Sequence, residues 1–102
     1  MKFMKDRYMT RGIAENLEPA LVLVLWQLIT ELVEEKEGQV DYLQVFDIIP
    51  DPNSVRGVVV EHHSEVPSYK AVHRLQVDNP IKAKIFVIDS EEYSTMMLSR
   101  EY

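Results

Sequence analysis

The fold is decided by residues 19–38, PALVLVLWQLITELVEEKEG, which have the pattern of one long amphipathic helix. Apolar residues recur there at spacings of three and four, the period at which side chains return to one face of an α-helix. We expect that face to pack against the rest of the molecule through Leu21, Val22, Leu25, Trp26, Leu28, Ile29, Leu32 and Val33. Asn16 is the predicted N-cap, and Gly38 is predicted to end the helix because glycine favours the backbone of a C-terminal cap.

Two aliphatic residues of this helix do not belong to the apolar stripe. Leu23 and Val24 lie with Gln27 on the opposite side, where a helix at the protein surface is normally polar. We interpret Leu23, Val24 and Gln27 as a candidate interaction surface. Because homo-oligomers most often form through a two-fold contact, a homodimer or higher oligomer is expected to meet there. A different, unidentified protein partner is the other occupant that this surface suggests.

After Gly38 the pattern changes to period two, with residues that favour β-strands. Four strands are predicted at residues 41–49, 57–63, 69–77 and 83–88, separated by turn-forming clusters. Because the connections are short, consecutive strands should pair antiparallel. Strand 41–49 is apolar on both faces except at Gln44 and Asp47. It is therefore expected to be central, or to be covered on its second face by another element or subunit.

The two ends of the chain complete the predicted fold. Residues 4–13 are interpreted as a strand. Asp89 and Glu92 have the spacing of a capping box, which predicts a short C-terminal helix that could cover the second face of the sheet. The apolar side of that helix would be formed by Tyr93, Met96 and Met97. The prediction is a single α+β domain over residues 1–102, of order β-α-β-β-β-β-α, with the long helix packed across a mainly antiparallel sheet.

Composition excludes several classes of function. The chain has 102 residues, of which 46% are hydrophobic and 27% charged, as in a globular protein with one core. It has no cysteine, so disulfides, thiolate nucleophiles and iron–sulfur clusters are excluded. The net charge of −6 argues against nucleic-acid binding, which needs clustered basic residues. The longest apolar run, at residues 20–26, is too short to cross a membrane, and a cytoplasmic location is expected.

No motif for nucleotide binding or nucleophilic catalysis is present. The three glycines, Gly12, Gly38 and Gly57, cannot form a P-loop or a G-x-G-x-x-G turn. No serine occupies a G-x-S-x-G elbow. We predict no catalytic residue and no cofactor for this chain.

The histidines fall on two neighbouring predicted strands. Alternation places Glu61 and His63 on one face of strand 57–63 and His62 on the other. A hairpin could bring His73 close to His62, but the sequence does not decide whether the two meet on one face. Two ligands on each face are too few for a closed metal site, so we interpret the histidines as parts of a half-exposed sheet and predict no metal ligand. The basic residues Lys70, Arg74, Lys82 and Lys84 are interpreted as protection of strand edges. A sheet that binds single-stranded RNA through such a strip is a weaker alternative.

Five segments resemble a family of short uncharacterised proteins from Gram-positive bacteria, catalogued as a domain of unknown function. These segments are YMTRGIAE (8–15), LWQLI (25–29), DYLQVF (41–46), AKIFVIDSEEYSTMML (83–98) and EY (101–102). The resemblance runs over essentially the whole chain and implies a bacterial cytosolic protein. It brings no activity, ligand or catalytic residue that could be assigned to a position of this sequence.

The sequence thus favours a non-enzymatic interaction or regulatory module that self-associates. The alternative is a small-molecule-binding domain or minor enzyme, with a pocket between helix and sheet lined by Tyr, Met and His. The surroundings of the apolar residues that lie outside the core discriminate between the two hypotheses. Coverage of these residues by another chain favours the module, and a cavity with convergent polar groups favours ligand binding.

Overall fold

The computed structural model describes residues 1–102, which form one long helix and a six-stranded sheet. The elements in chain order are β1 (Asp6–Met9), α1 (Arg11–Asn16), α2 (Pro19–Glu35), β2 (Leu43–Pro50), β3 (Gly57–Glu65), β4 (Ser68–Gln76), β5 (Ala83–Asp89), β6 (Tyr93–Leu98) and a 3₁₀ turn (Ser99–Glu101). The α+β class is confirmed, and so are the long helix and the four strands predicted after Gly38. None of the helices is long and apolar enough to cross a membrane.

Helix α2 packs on the sheet through the predicted stripe. Seven of its eight residues are buried, and Leu28 is half-buried against the same core. The predicted cap is wrong, because Asn16 ends α1 instead and its side-chain amide donates to the carbonyl of Gly12 at 2.8 Å. The residue before α2 is Glu18, and Pro19 takes the first helical turn, where its missing N–H is not needed.

The sheet has the strand order β1-β6-β5-β2-β3-β4. All neighbouring pairs are antiparallel except β1 and β6, which are parallel. Strand β2 is central, as its two apolar faces predicted. In the register, Phe46 lies between Ile85 of β5 and His62 of β3.

Only one face of the sheet is covered by a helix. On the inner face, side chains of β2, β3, β5 and β6 join those of α2 in a single cluster of 20 buried residues. The outer face has no helix over it, and its centre carries Asp47, Glu61 and His63. Tyr102 lies over this outer face at β5, where its ring is edge-on to that of Phe86 at 5.6 Å.

The C-terminal helix predicted from Asp89 is wrong in its position. Residues 93–98 form strand β6, which lies between β5 and β1 in the sheet. It pairs antiparallel with β5 and parallel with β1. Ser94, Met96 and Leu98 are buried while the residues between them are not, which is the alternation of a strand. The carboxylate of Asp89 accepts the N–H of Phe3 at 2.8 Å rather than capping a helix. Helical backbone at this end is limited to the 3₁₀ turn Ser99–Glu101.

The N-terminal strand is shorter than predicted. Residues 4–13 divide into β1 and the first half of α1, with Thr10 as the N-cap that accepts from the N–H of Ile13. Glu101 ties this corner to the end of the chain, because its carboxylate accepts from the Thr10 hydroxyl at 2.7 Å and from the N–H of Leu98 at 2.8 Å. These contacts hold the start of α1 beside the end of β6.

Candidate functional site

The three residues predicted as an interaction surface lie on α2 but do not share one environment. Leu23 is 70% exposed, and Gln27 is exposed one turn further along the same side. The amide of Gln27 donates to Glu31 at 3.3 Å. Val24 is half-buried on the other flank of the helix, where it lines a small depression beside Leu75 of β4. The structure thus brings Leu23 and Gln27 together and separates Val24 from them.

An apolar depression lies directly beside Leu23. It has a volume of about 250 Å³, opens to solvent between α1 and the start of α2, and is lined by Met9, Ala14, Leu17, Pro19, Val22 and Leu23. Met9 and Leu23 are both more than half exposed at its rim. We call Leu23, Gln27 and the five other lining residues the Leu23 surface. A side chain that enters this depression would meet almost only carbon atoms, so the surface suits apolar contact rather than chemistry.

Arg7 holds β1 against α2 on the side of the helix that carries the Leu23 surface. Its guanidinium lies 4.9 Å from the centre of the Trp26 ring and donates to the Thr30 hydroxyl at 2.7 Å. A second donation, to the carbonyl of Phe3 at 3.0 Å, fixes the chain before β1. Burial lowers the pKa of Arg7, but an arginine remains charged at neutral pH. A cation–π contact and hydrogen bonds of Arg7 therefore join β1 to α2, which form two walls of the depression beside Leu23.

The chain matches the model of a known protein family over nearly its whole length. The family described as a staphylococcal protein of unknown function (DUF960) matches residues 6–101. The chain belongs to the DUF960 family. This confirms the resemblance to uncharacterised proteins of Gram-positive bacteria. The match covers every element of the sheet and both α-helices, so the Leu23 surface lies within the family's domain.

A solved structure shares the fold of this DUF960 protein. It is a crystal structure of a protein of unknown function from Enterococcus faecalis, with a TM-score of 0.76 and 24% sequence identity. The match covers 96% of this chain and 91% of the other. At that identity the likeness shows the fold alone. No curated protein matches the chain.

The outer face of the DUF960 sheet carries a cluster of charged groups. Ligand atoms of Asp47, Glu61 and His63 lie within 4.8 Å of one another, and Nε2 of His63 is 3.0 Å from Asp47. Glu61 and His63 share this face as predicted, and Asp47 joins them from β2. Lys84 lies 3.8 Å from Asp47, and Lys70 lies 3.6 Å from Glu61. Asp47, Glu61 and His63 are the residues that could hold a cation, but both carboxylates already have lysine partners.

The inner face contains a buried histidine. His62 and His73 share this face, which the sequence left undecided, and His62 is fully buried. Nε2 of His62 donates to Gln44 at 2.8 Å, and the amide of Gln44 donates to the carbonyl of Asp41, also at 2.8 Å. Burial, with smaller contributions from His73 and His63, lowers the pKa of His62 to about 4. His62 is therefore neutral at physiological pH and acts as part of the core.

A second cavity lies between the C-terminal end of α2 and the start of β4. It has a volume of about 260 Å³ and is lined by Leu32, Lys36, Gln39, Val40, Ser64, Pro67, Ser68 and Tyr69. Burial raises the pKa of Tyr69, and Glu35 and Glu31 add to this effect. The cavity contains the predicted Tyr, but no Met or His lines it. Its polar groups could bind a small molecule, although they include no nucleophile–base pair.

Sequence reasoning missed most of the Leu23 surface. The sequence predicts a strand at Met9 and a helix start at Leu17, so their position beside Leu23 could not be predicted. No local signal marks the depression, because Glu15 and Glu18 interrupt the apolar residues around Asn16. The third member of the outer cluster, Asp47, was missed because it depends on the register between β2 and β3.

Proposed function

We propose that this DUF960 protein is a non-enzymatic interaction module that self-associates through the Leu23 surface. The observation that carries this proposal is the exposed Leu23 side chain next to an apolar depression of about 250 Å³. Exposed aliphatic residues are common when they are single. Here an apolar side chain of α2 lies beside an apolar depression, formed with β1 and α1, that could receive such a side chain.

That adjacency favours a second copy of the chain over an unrelated partner. In a two-fold contact one patch meets its own copy, so each protomer must offer both the protruding group and its receptor. Leu23 of one protomer would enter the depression of the other, and the reciprocal contact would form at the same time. Gln27 would lie at the edge of the contact, where polar residues are normally found.

Oligomeric state tests this proposal. Light scattering coupled to gel filtration should show the parent protein as a dimer at micromolar concentration and the Leu23→Asp variant as a monomer. Val55→Asp is the matched control, because Val55 is 95% exposed in the β2–β3 turn, and this variant should stay dimeric. A monomeric parent would refute self-association, and a dimeric Leu23→Asp variant would refute this contact.

We also propose that residues 1–102 act as one domain, which the single cluster of 20 buried residues supports. We propose a cytoplasmic location, in line with what the sequence resemblance implies.

Small-molecule binding is a second candidate function, supported by the cavity at the end of α2. Its polar groups, Lys36, Ser64, Ser68 and Tyr69, surround an apolar floor. Thermal melting in the presence of a panel of small polar metabolites should reveal a ligand if this function is present. A stabilisation that disappears in Ser68→Leu would support the candidate, and a panel without effect on the parent would refute it for those compounds.

A further inference from the structure

The longest free edge of the sheet belongs to β4. This strand has nine residues, pairs only with β3, and keeps an unbroken register from Ser68 to Gln76. The opposite edge, β1, has only four residues. Proteins commonly blunt an exposed edge by shortness, a bulge, a proline or charged side chains, and of these devices β4 has only the charges of Lys70 and Arg74. Its edge is therefore open to a strand whose charges complement these two residues.

The register shows which backbone groups of β4 are free. The N–H of Val77 donates to the carbonyl of Arg56 at 2.8 Å, which makes these two residues a hydrogen-bonded pair. Because such pairs alternate along an antiparallel ladder, odd-numbered residues of β4 bond to β3. The N–H and C=O groups of Lys70, Val72 and Arg74 therefore point to the free edge, and no other segment of the chain bonds to them.

Helix α2 leaves a trough along the inner side of this edge. The inward residues of β4, which are Tyr69, Ala71, His73 and Leu75, are all half-buried rather than covered. One end of the trough is the depression of about 120 Å³ beside Val24 and Leu75. The other end is the cavity of about 260 Å³ beside Leu32 and Tyr69. Apolar side chains of an added strand would lie in this trough.

The outer side of the same edge is basic. Lys70 and Arg74 flank the exposed Val72, and their side chains are 67% and 64% exposed. Lys70 pairs with Glu61 at 3.6 Å, and exposed pairs of this kind are weak. Arg74 pairs at 3.1 Å with Asp51, whose side chain is only 8% exposed. If the central residue of an added strand lies opposite Val72, the residues two positions before and after it lie opposite Lys70 and Arg74. Acidic residues at those two positions would form cross-strand ion pairs.

We propose that the β4 edge binds an extended acidic segment of a partner protein by strand addition. The backbone of the segment pairs with Lys70, Val72 and Arg74, as in other cases of β-augmentation. The pattern required is acidic–apolar–apolar–apolar–acidic. A second copy of β4 fits poorly, because two-fold pairing about Val72 would set Lys70 opposite Arg74 of the partner copy. Like charges directly opposite each other destabilise a strand pair.

The test uses a fluorescein-labelled peptide of sequence SEVVVES and the full chain. Fluorescence anisotropy should show saturable binding below about 1 mM, and the control peptide SKVVVKS should bind at least about tenfold more weakly. In heteronuclear NMR spectra, the amide hydrogens of Lys70, Val72 and Arg74 should exchange more slowly when the peptide is bound. The absence of saturable binding, or equal binding of both peptides, would overturn the proposal.

Two variants separate strand addition from non-specific attraction. Val72→Pro removes an N–H that faces the free edge, and an edge strand tolerates proline at such a position. This variant should bind SEVVVES at least about tenfold more weakly than the parent. The double variant Lys70→Glu, Arg74→Glu should bind SKVVVKS more tightly than SEVVVES, the reverse of the parent's preference. Binding of SKVVVKS would also show that the double variant is folded. Retained preference for SEVVVES in the double variant would contradict the proposal. The Leu23→Asp variant should bind SEVVVES like the parent, so this site and the self-association surface can fail independently.

Discussion

Mild acid should destabilise the fold through His62. Burial lowers the pKa of this histidine from 6.5 to about 4, so between these values the unfolded chain binds a proton that the folded chain does not. Stability is then fully present above pH 6.5 and is lost as the pH falls toward 4. Each unit of pH below 6.5 costs 1.36 kcal/mol, so at pH 5 the free energy of unfolding should be lower by about 2 kcal/mol.

Urea unfolding followed by Trp26 fluorescence at pH 7 and pH 5 measures this loss. His62→Gln keeps a donor for Gln44 but does not titrate, so its stability should change little between the two pH values. His63→Gln, on the outer face, is the matched control and should retain the pH dependence of the parent. The carboxyls of Asp41 and Glu101, whose pKa values are lowered, protonate at lower pH than this window. An equal urea midpoint for the parent at both pH values, or an unchanged dependence in His62→Gln, would refute the reasoning.

Three further predictions concern the core, a turn and metal binding. Trp26→Ala should lower the free energy of unfolding by about 3–5 kcal/mol, because the ring is 8% exposed, and a urea midpoint like that of the parent would contradict its place in the core. Gly57→Ala should cost about 1–3 kcal/mol, since its Cβ would lie 2.8 Å from a side chain of the preceding turn; unchanged thermal stability would refute that contact. Micromolar zinc should leave the melting temperature almost unchanged, because lysines already pair with Asp47 and Glu61; a rise of many degrees that His63→Gln abolishes would show a metal site.

The parts of the fold that could be predicted are those with local signals. The stripe of α2 follows from helical period, and the alternation of β4 follows from strand period, so both were located within a few residues. Strand β6 was missed because the capping-box spacing of Asp89 and Glu92 is a local signal for a helix. Pairing with β5 and β1 outweighs that signal, and it depends on segments up to 87 residues apart, such as Arg7 and Ser94.

The candidate site was predictable to a similar degree. The exposure of Leu23 follows from its phase on a helix whose buried side is obvious from the sequence. The burial of Val24 on the flank does not, because it depends on how far α2 lies from β4. The depression beside Leu23 needs α1, and the start of α1 is fixed by a hydrogen bond between Thr10 and Glu101, which lie 91 residues apart in the sequence.

Intermolecular paramagnetic relaxation tests the central claim, self-association through the Leu23 surface, most directly. The chain has no cysteine, so Gln27→Cys provides a single attachment point for a nitroxide label. Labelled protein without ¹⁵N is mixed with unlabelled ¹⁵N protein, so that any broadening arises between copies. We predict selective broadening of the amides of Met9, Ala14 and Leu17, and none from a label at Val55→Cys. Unbroadened spectra, or broadening confined to the outer face of the sheet, would contradict the account.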